Sequence, residues 1–265
     1  MDNTYWHKQA QGEPLFPDLL WSRPENKRTA GKLLIIGGNI HSFAAVGQAY
    51  QTARAAGIGQ IRVIMPDALQ KTVSKLLPEA DFAASTPSGS FAQMALSHFM
   101  DLAAWADGVI LVGDLGHNSE TAIALEKFVG RYKEQLTLTK DAVDYFTRMP
   151  KPLLGRLDTT LVLTIAQLQL LASSLKSQTV FKFDVDLLQL VDKLHQFTHD
   201  TKINLILKHL DNLFVAVDGQ VSTTKTVLKD EESWRIPIAS KAAVWWLQNP
   251  SKTFEALSMA VLETE

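Results

Sequence analysis

Short apolar runs alternate with amphipathic stretches along most of the chain. Leu33-Leu34-Ile35-Ile36 is apolar at every position and stops at Gly37-Gly38, the pattern of a parallel strand buried on both faces that feeds a tight turn. Over residues 44–56, Ala45, Ala49, Ala53 and Ala56, with Val46 and Tyr50, predict one buried helical face. Gly57 and Gly59 end that helix. Residues 61–65 predict a second strand, closed by Pro66. Strand, glycine turn, helix and strand make a βαβ unit with a right-handed crossover.

The alternation continues. Helices are predicted over residues 91–105, 119–132, 166–175, 185–198, 240–247 and 253–262, and strands over 108–112, 136–139, 160–163 and 205–207. Residues 213–217 and 220–224 flank Asp218-Gly219, a strong hairpin signal. In the first thirty residues Pro14, Pro17 and Pro24 argue against regular structure. Residues 1–30 are therefore read as an arm packing on a single domain, 31–265. The expected fold is a doubly wound, mostly parallel three-layer α/β/α sheet with a C-terminal antiparallel hairpin.

Composition narrows the function classes. The 265 residues are 46% hydrophobic and 20% charged, ordinary for one large globular domain. A formal net charge of -2 supplies no field to recruit nucleic acid or an anionic membrane. The chain has no cysteine, which excludes disulfides, thiolate metal sites and a cysteine nucleophile. Residues 1–11 are polar, and no apolar stretch approaches the ~20 residues that span a bilayer. The expectation is a soluble, cytoplasmic protein acting on small molecules, with self-association left open.

Ligands of doubly wound sheets bind outside the carboxyl ends of the strands. The loop Gly37-Gly38-Asn39 could cradle an anion, or could simply make a tight turn. In the loop after the 108–112 strand, two glycines flank Asp114, ending at Gly116, and the backbone there could approach a ligand closely. Lys208 ends an apolar strand and is well placed for a phosphate. Asp141 and Asp144 could cap a helix, or one of them could act as a general base. His41, His117 and His209 show no metal-ligand spacing, so no metal site is expected. The Trp245-Trp246 pair reads as exposed.

Together these loops resemble the ADP- or ATP-dependent NAD(P)H-hydrate dehydratases of the ribokinase-like superfamily, from about Ser22 onward. Residues 31–39 are similar to the family's opening strand and glycine turn, and Ala44-Ala45 falls where the family has a substrate-contacting Gly-Ala. Residues 106–116 look like its Gly-Pro-Gly-Leu-Gly segment, with Asp114 in place of proline. Residues 139–144 match its Asp-Ala-Asp-Ala-Leu-Asn, keeping one aspartate as Asp141. Leu205-Ile206-Leu207-Lys208 matches its Val-Val-Leu-Lys. The resemblance implies that Gly37, Gly38, Asn39, Ala45, Asp114 and Gly116 bind substrate, and that Lys208, His209, Asn212, Ser240 and Lys241 bind nucleotide. It also implies ADP or ATP with Mg2+ and an NAD(P)H-related metabolite, and, if the protein is active, a carbon–oxygen lyase.

The departures are as specific. The family's substrate-binding histidine is replaced, at Ala166. Its Gly-Ser/Thr-Gly-Asp turn at a helix start, which carries an anion hole and the base, is matched to residues 236–241, where there is neither glycine nor acid. On that match, backbone amides cannot approach a polyphosphate and no carboxylate takes the proton. Three functions follow: a nucleotide- or metabolite-binding pseudoenzyme with lost or much reduced turnover; an active dehydratase or small-molecule kinase with a relocated acid–base residue, Asp141 or Asp114; or a non-catalytic interaction subunit. The first is preferred.

Overall fold

The structure is a computed structural model that describes residues 4–228 and 234–262. It begins with strand β1 (Trp6–Gln9) and the single-turn helix α1 (Asp18–Trp21). Next come β2 (Lys32–Gly37), α2 (Ala44–Ala55), β3 (Gln60–Pro66), the short α3 (Gln70–Val73) and β4 (Ala80–Ala83). The middle of the chain contributes α4 (Ala95–Ala103), β5 (Gly108–Gly113), α5 (Ser119–Arg131), β6 (Gln135–Thr139) and α6 (Asp141–Thr147). The last third contributes β7 (Thr159–Leu163), α7 (Ile165–Ser174), α8 (Leu187–Thr201), β8 (Asn204–His209), β9 (Asn212–Val217), β10 (Gln220–Lys225), α9 (Arg235–Gln248) and α10 (Thr253–Ala260).

The ten strands form one sheet in the order β1-β10-β9-β8-β7-β6-β5-β2-β3-β4. Only β9 runs against its neighbours, and the hairpin turns at Asp218-Gly219 as expected. Apolar side chains alternate to the two faces. Leu34, Ile36, Leu111, Leu138, Leu163 and Leu205 pack with residues of α4 to α8. Leu33, Ile35, Ile110, Val162 and Ile206 pack with residues of α2, α9 and α10. Two cores separated by the sheet give the three layers.

Four local expectations change. The first thirty residues do contain a strand: β1 pairs in parallel with β10, from Trp6 opposite Val221 to Gln9 opposite Thr224. The prolines lie beyond β1 in the chain, so they remove no ladder donor from it. Buried Gln9 fastens it, donating to Ser258 O at 2.8 Å and accepting from Leu15 N at 3.0 Å. The helix predicted over 91–105 is shorter, because Ala92 N donates to Ala84 O and Phe91 bridges Ser85. The helix predicted from 240 begins at Arg235. Pro237 stands in the first turn, where a missing N–H costs no intrahelical bond. Trp245 and Trp246 are buried, and the Trp246 indole donates to Thr253 Oγ1 at 3.1 Å.

Candidate functional site

The sheet has its topological switch where β2 meets β5. The chain leaves β2 for α2 on one face and leaves β5 for α5 on the other. A crevice opens between such diverging crossovers. The glycine loops after β2 and β5 line it. A β-carbon on Gly37 would meet Gly113 O at 2.7 Å, so the two strand ends approach more closely than other residues allow. Gly38 N donates to Gly113 O at 3.1 Å.

Seven residues expected at a substrate or catalytic site, Gly37, Gly38, Asn39, Ala45, Asp114, Gly116 and Asp141, meet here, and Asn39, Ala45, Asp114 and Asp141 are tied together by hydrogen bonds. Buried Asn39 donates from Nδ2 to Asp114 O at 2.6 Å, and its Oδ1 accepts from His41 N at 2.8 Å. Asp114 has φ 55°, between Gly113 at 92° and Gly116 at 74°. Its Oδ2 accepts from Ala45 N, in the first turn of α2, at 2.9 Å. Its Oδ1 lies 2.7 Å from Lys140 Nζ. Burial alone would raise the Asp114 pKa, but the bonds from Lys140 and the Ala45 amide outweigh it and hold the group below its usual range.

Asp141 is the first residue of α6, yet its carboxylate does not cap that helix. It reaches across to β5, where Oδ1 accepts from Asp114 N at 2.7 Å and Oδ2 from Leu115 N at 2.8 Å. The Tyr145 hydroxyl donates to Gly116 O, and burial pushes its pKa up to about 12.

Three further residues join this cluster: Lys140 and Gln167, on the loops after β6 and β7 where the sequence already placed candidate ligand contacts, and Arg235, which the sequence did not single out. Lys140 holds φ 53°, which aims its ammonium back at Asp114. Thr164 and Gln167 form a capping box at the start of α7, and Gln167 Nε2 also donates to Lys140 O at 2.9 Å and Asp144 Oδ1 at 2.7 Å. Arg235 NH1 donates to Gln167 Oε1 at 3.4 Å, which brings the start of α9 beside the ends of β6 and β7. The Thr-x-x-Gln spacing was a legible signal for the cap; the bridging was not.

The residues expected to hold nucleotide are more dispersed. Lys208, the residue before the last of β8, lies on the side of Ile206, toward α9. His209 faces the other way, its Nε2 lying 2.9 Å from Val185 O. Asn212 lines a cavity of about 680 Å3 with Trp6, Lys8, Leu187 and Lys225, at the carboxyl end of β10. Ser240 is buried in the body of α9 and donates to Ile236 O at 2.8 Å; Lys241 follows it. Both lie more than one turn past the helix start. Asp141, Asp144, Tyr145 and His117 line a cavity of about 410 Å3. A larger cavity, about 750 Å3, opens at the amino ends of the strands, beside Arg54, Arg62 and Trp105. We place the site at the carboxyl end, where the crossovers diverge.

Among the described residues no group of three or more His, Asp or Glu is arranged to hold a metal ion by itself, and no helix is long and apolar enough to cross a membrane.

No family profile and no curated protein matches this chain. Solved structures do. A ribokinase-like superfamily protein from Enterococcus faecalis superposes with a TM-score of 0.71 at 14% identity, over 98% of this chain and 87% of that one. A hypothetical protein from Streptococcus mutans gives 0.70 at 17% identity, over 92% and 87%. The ADP/ATP-dependent NAD(P)H-hydrate dehydratase of Bacillus subtilis, co-crystallised with ATP/Mg2+ and soaked with CoA, gives 0.61 at 13% identity, over 94% and 86%. At these identities the likeness is one of architecture, and that architecture gives the chain the ribokinase-like fold.

Proposed function

We propose that this protein binds an adenine nucleotide at the carboxyl end of its sheet and has lost most or all dehydratase turnover. The observation that carries this reading is the state of the two carboxylates in the crevice. Asp141 has both oxygens committed to backbone amides, and Asp114 is tied to Lys140 and to the α2 amide. Asp114, held below its usual range, is a weak base, and both oxygens of Asp141 are occupied by the β5 loop. Asp114 also occupies the positive end of α2, where a substrate anion would otherwise sit. The active-enzyme reading with Asp114 or Asp141 as relocated base is therefore disfavoured.

Nucleotide binding is supported by the fold, by Lys208 on the α9 side of β8, and by the similar dehydratase crystallised with ATP/Mg2+. A nucleotide-borne Mg2+ keeps much of its shell as water and phosphate oxygen, and needs few protein carboxylates. Exposed Asp144 on the cavity wall fits such a role.

One observation favours a second reading, an active enzyme. Because α9 begins at Arg235, residues 236–241 are helix body, and a motif at the helix start would fall ahead of them. In sequence that stretch holds Asp230, Glu231 and Glu232, which lie outside the described residues.

One pair of measurements separates these readings. Calorimetric titration with ATP and ADP reads binding, and incubation with ATP or ADP and hydrated NADH, followed by NADH absorbance, reads turnover. Binding without turnover is the expected result. Turnover abolished by neutralising residues 230–232 establishes the active enzyme instead, and absence of nucleotide binding overturns both.

A further inference from the structure

We propose that Arg235 is the phosphate-binding residue of this site, taking the terminal phosphate of the bound nucleotide between the start of α9 and the loop after β7. This rests on the nucleotide-binding reading above and assigns a residue to it. The argument begins with what the guanidinium lacks. It carries five N–H donors and no acceptor. Its hydrogen bond among the described residues is a long one, 3.4 Å, to the amide oxygen of Gln167, which already accepts from Thr164 N at 3.0 Å. It forms no ion pair with a described residue. Asp141 and Asp144 influence it electrostatically, but Asp141 is committed to the β5 loop and Asp144 accepts from Gln167. A half-buried arginine with most of its donors unused among the described residues is costly unless an anion completes it.

Its position supplies the rest. Arg235 opens a 14-residue helix at the carboxyl end of the sheet, so the positive end of α9 adds to its charge. The planar fork matches phosphate oxygens in pairs, which an ammonium does not. Thr164 and Gln167 hold the amide that orients the fork, and Gln167 in turn is fixed by Lys140 O. Where glycine amides would be needed to approach a polyphosphate, a side chain reaching out from the helix start does the same work.

The test uses the full chain and calorimetric titration with ATP, adenosine and inorganic tripolyphosphate. Arg235→Gln is expected to weaken ATP and tripolyphosphate at least tenfold and to leave adenosine within twofold of the unmodified protein. Arg235→Lys keeps the charge but not the fork, and is expected to fall between the two. It also serves as the reading if the glutamine variant fails to fold. ATP affinity unchanged in these variants overturns the assignment while leaving nucleotide binding intact. Tripolyphosphate binding lost with Arg235, in a protein that takes no ATP, keeps the anion site and overturns the nucleotide reading. No binding of either probe overturns both.

Discussion

Lys140 Nζ and Asp114 Oδ1 stand 2.7 Å apart between the loops that follow β6 and β5, with side chains 29% and 9% exposed. This pair, with the Ala45 amide on the second oxygen of Asp114, places an internal anion at the positive end of α2. Its effect on stability has a defined sign. The folded-state pKa of Asp114 lies below its unfolded value, so the contribution is fully present above the unfolded value and is lost as pH falls through the folded one. Asp114→Asn is expected to cost about 1–3 kcal/mol at neutral pH, the range for a charged hydrogen-bonded group. The gap should shrink as the solution is acidified through the carboxylate range. Urea denaturation of both proteins at neutral and acid pH measures it; equal stability at neutral pH would mean that the pair contributes nothing.

Gly113 tests how tightly β5 and α6 are locked. It holds φ 92°, and a β-carbon there would meet Asp141 Oδ1 at 2.3 Å and Lys140 Cβ at 2.8 Å. Asp141 Oδ1 accepts from the Asp114 amide, so it cannot retreat without breaking that bond, and Lys140 Cβ is fixed to the backbone. Gly113→Ala is expected to destabilise the protein by roughly 2–4 kcal/mol, strain and lost hydrogen bonds together. Gly130, near the end of α5, has open space where its β-carbon would be. Gly130→Ala should be neutral or stabilise by up to about 1 kcal/mol through helix propensity. Chemical denaturation of the two variants side by side reads the contrast.

The same residues show how far a sequence can be read. Leu33 to Ile36 and the Asp218-Gly219 turn are local signals, since burial on both faces and a tight turn each leave a mark on neighbouring residues. The crevice was legible too, because glycines after β2 and β5 flag close approach. What Asp141 does was not legible. A carboxylate at a helix start normally caps it, and only the left-handed turn at Lys140 and the proximity of the β5 loop redirect it. Strands β1 and β4 escaped because each is four residues long and owes its place to a partner distant in the chain. Trp245 and Trp246 read as exposed in sequence, yet both are buried. Here Trp245 carries Arg23 over its ring at 4.8 Å, while Trp246 is sealed beneath α10.

Tyr132 offers a prediction in the opposite direction from the others. Its ring stacks on Phe128 at 5.3 Å between centroids, and the Arg156 guanidinium lies 5.8 Å from the ring centre. Its hydroxyl is buried and has no hydrogen-bond partner among the described residues. Burial drives its pKa well above the ordinary phenol value, the mark of a polar group in a poor environment. Tyr132→Phe keeps the stacking and the cation–π contact and removes only the unsatisfied oxygen. Leaving such a group unpaired costs about 1–3 kcal/mol, offset in part by the small void that its removal creates. The phenylalanine variant is therefore expected to match or exceed the original protein, by up to about 1 kcal/mol. Thermal and urea unfolding check it: a loss of more than that amount would show that the hydroxyl has a partner, such as a bound water, that holds it in place.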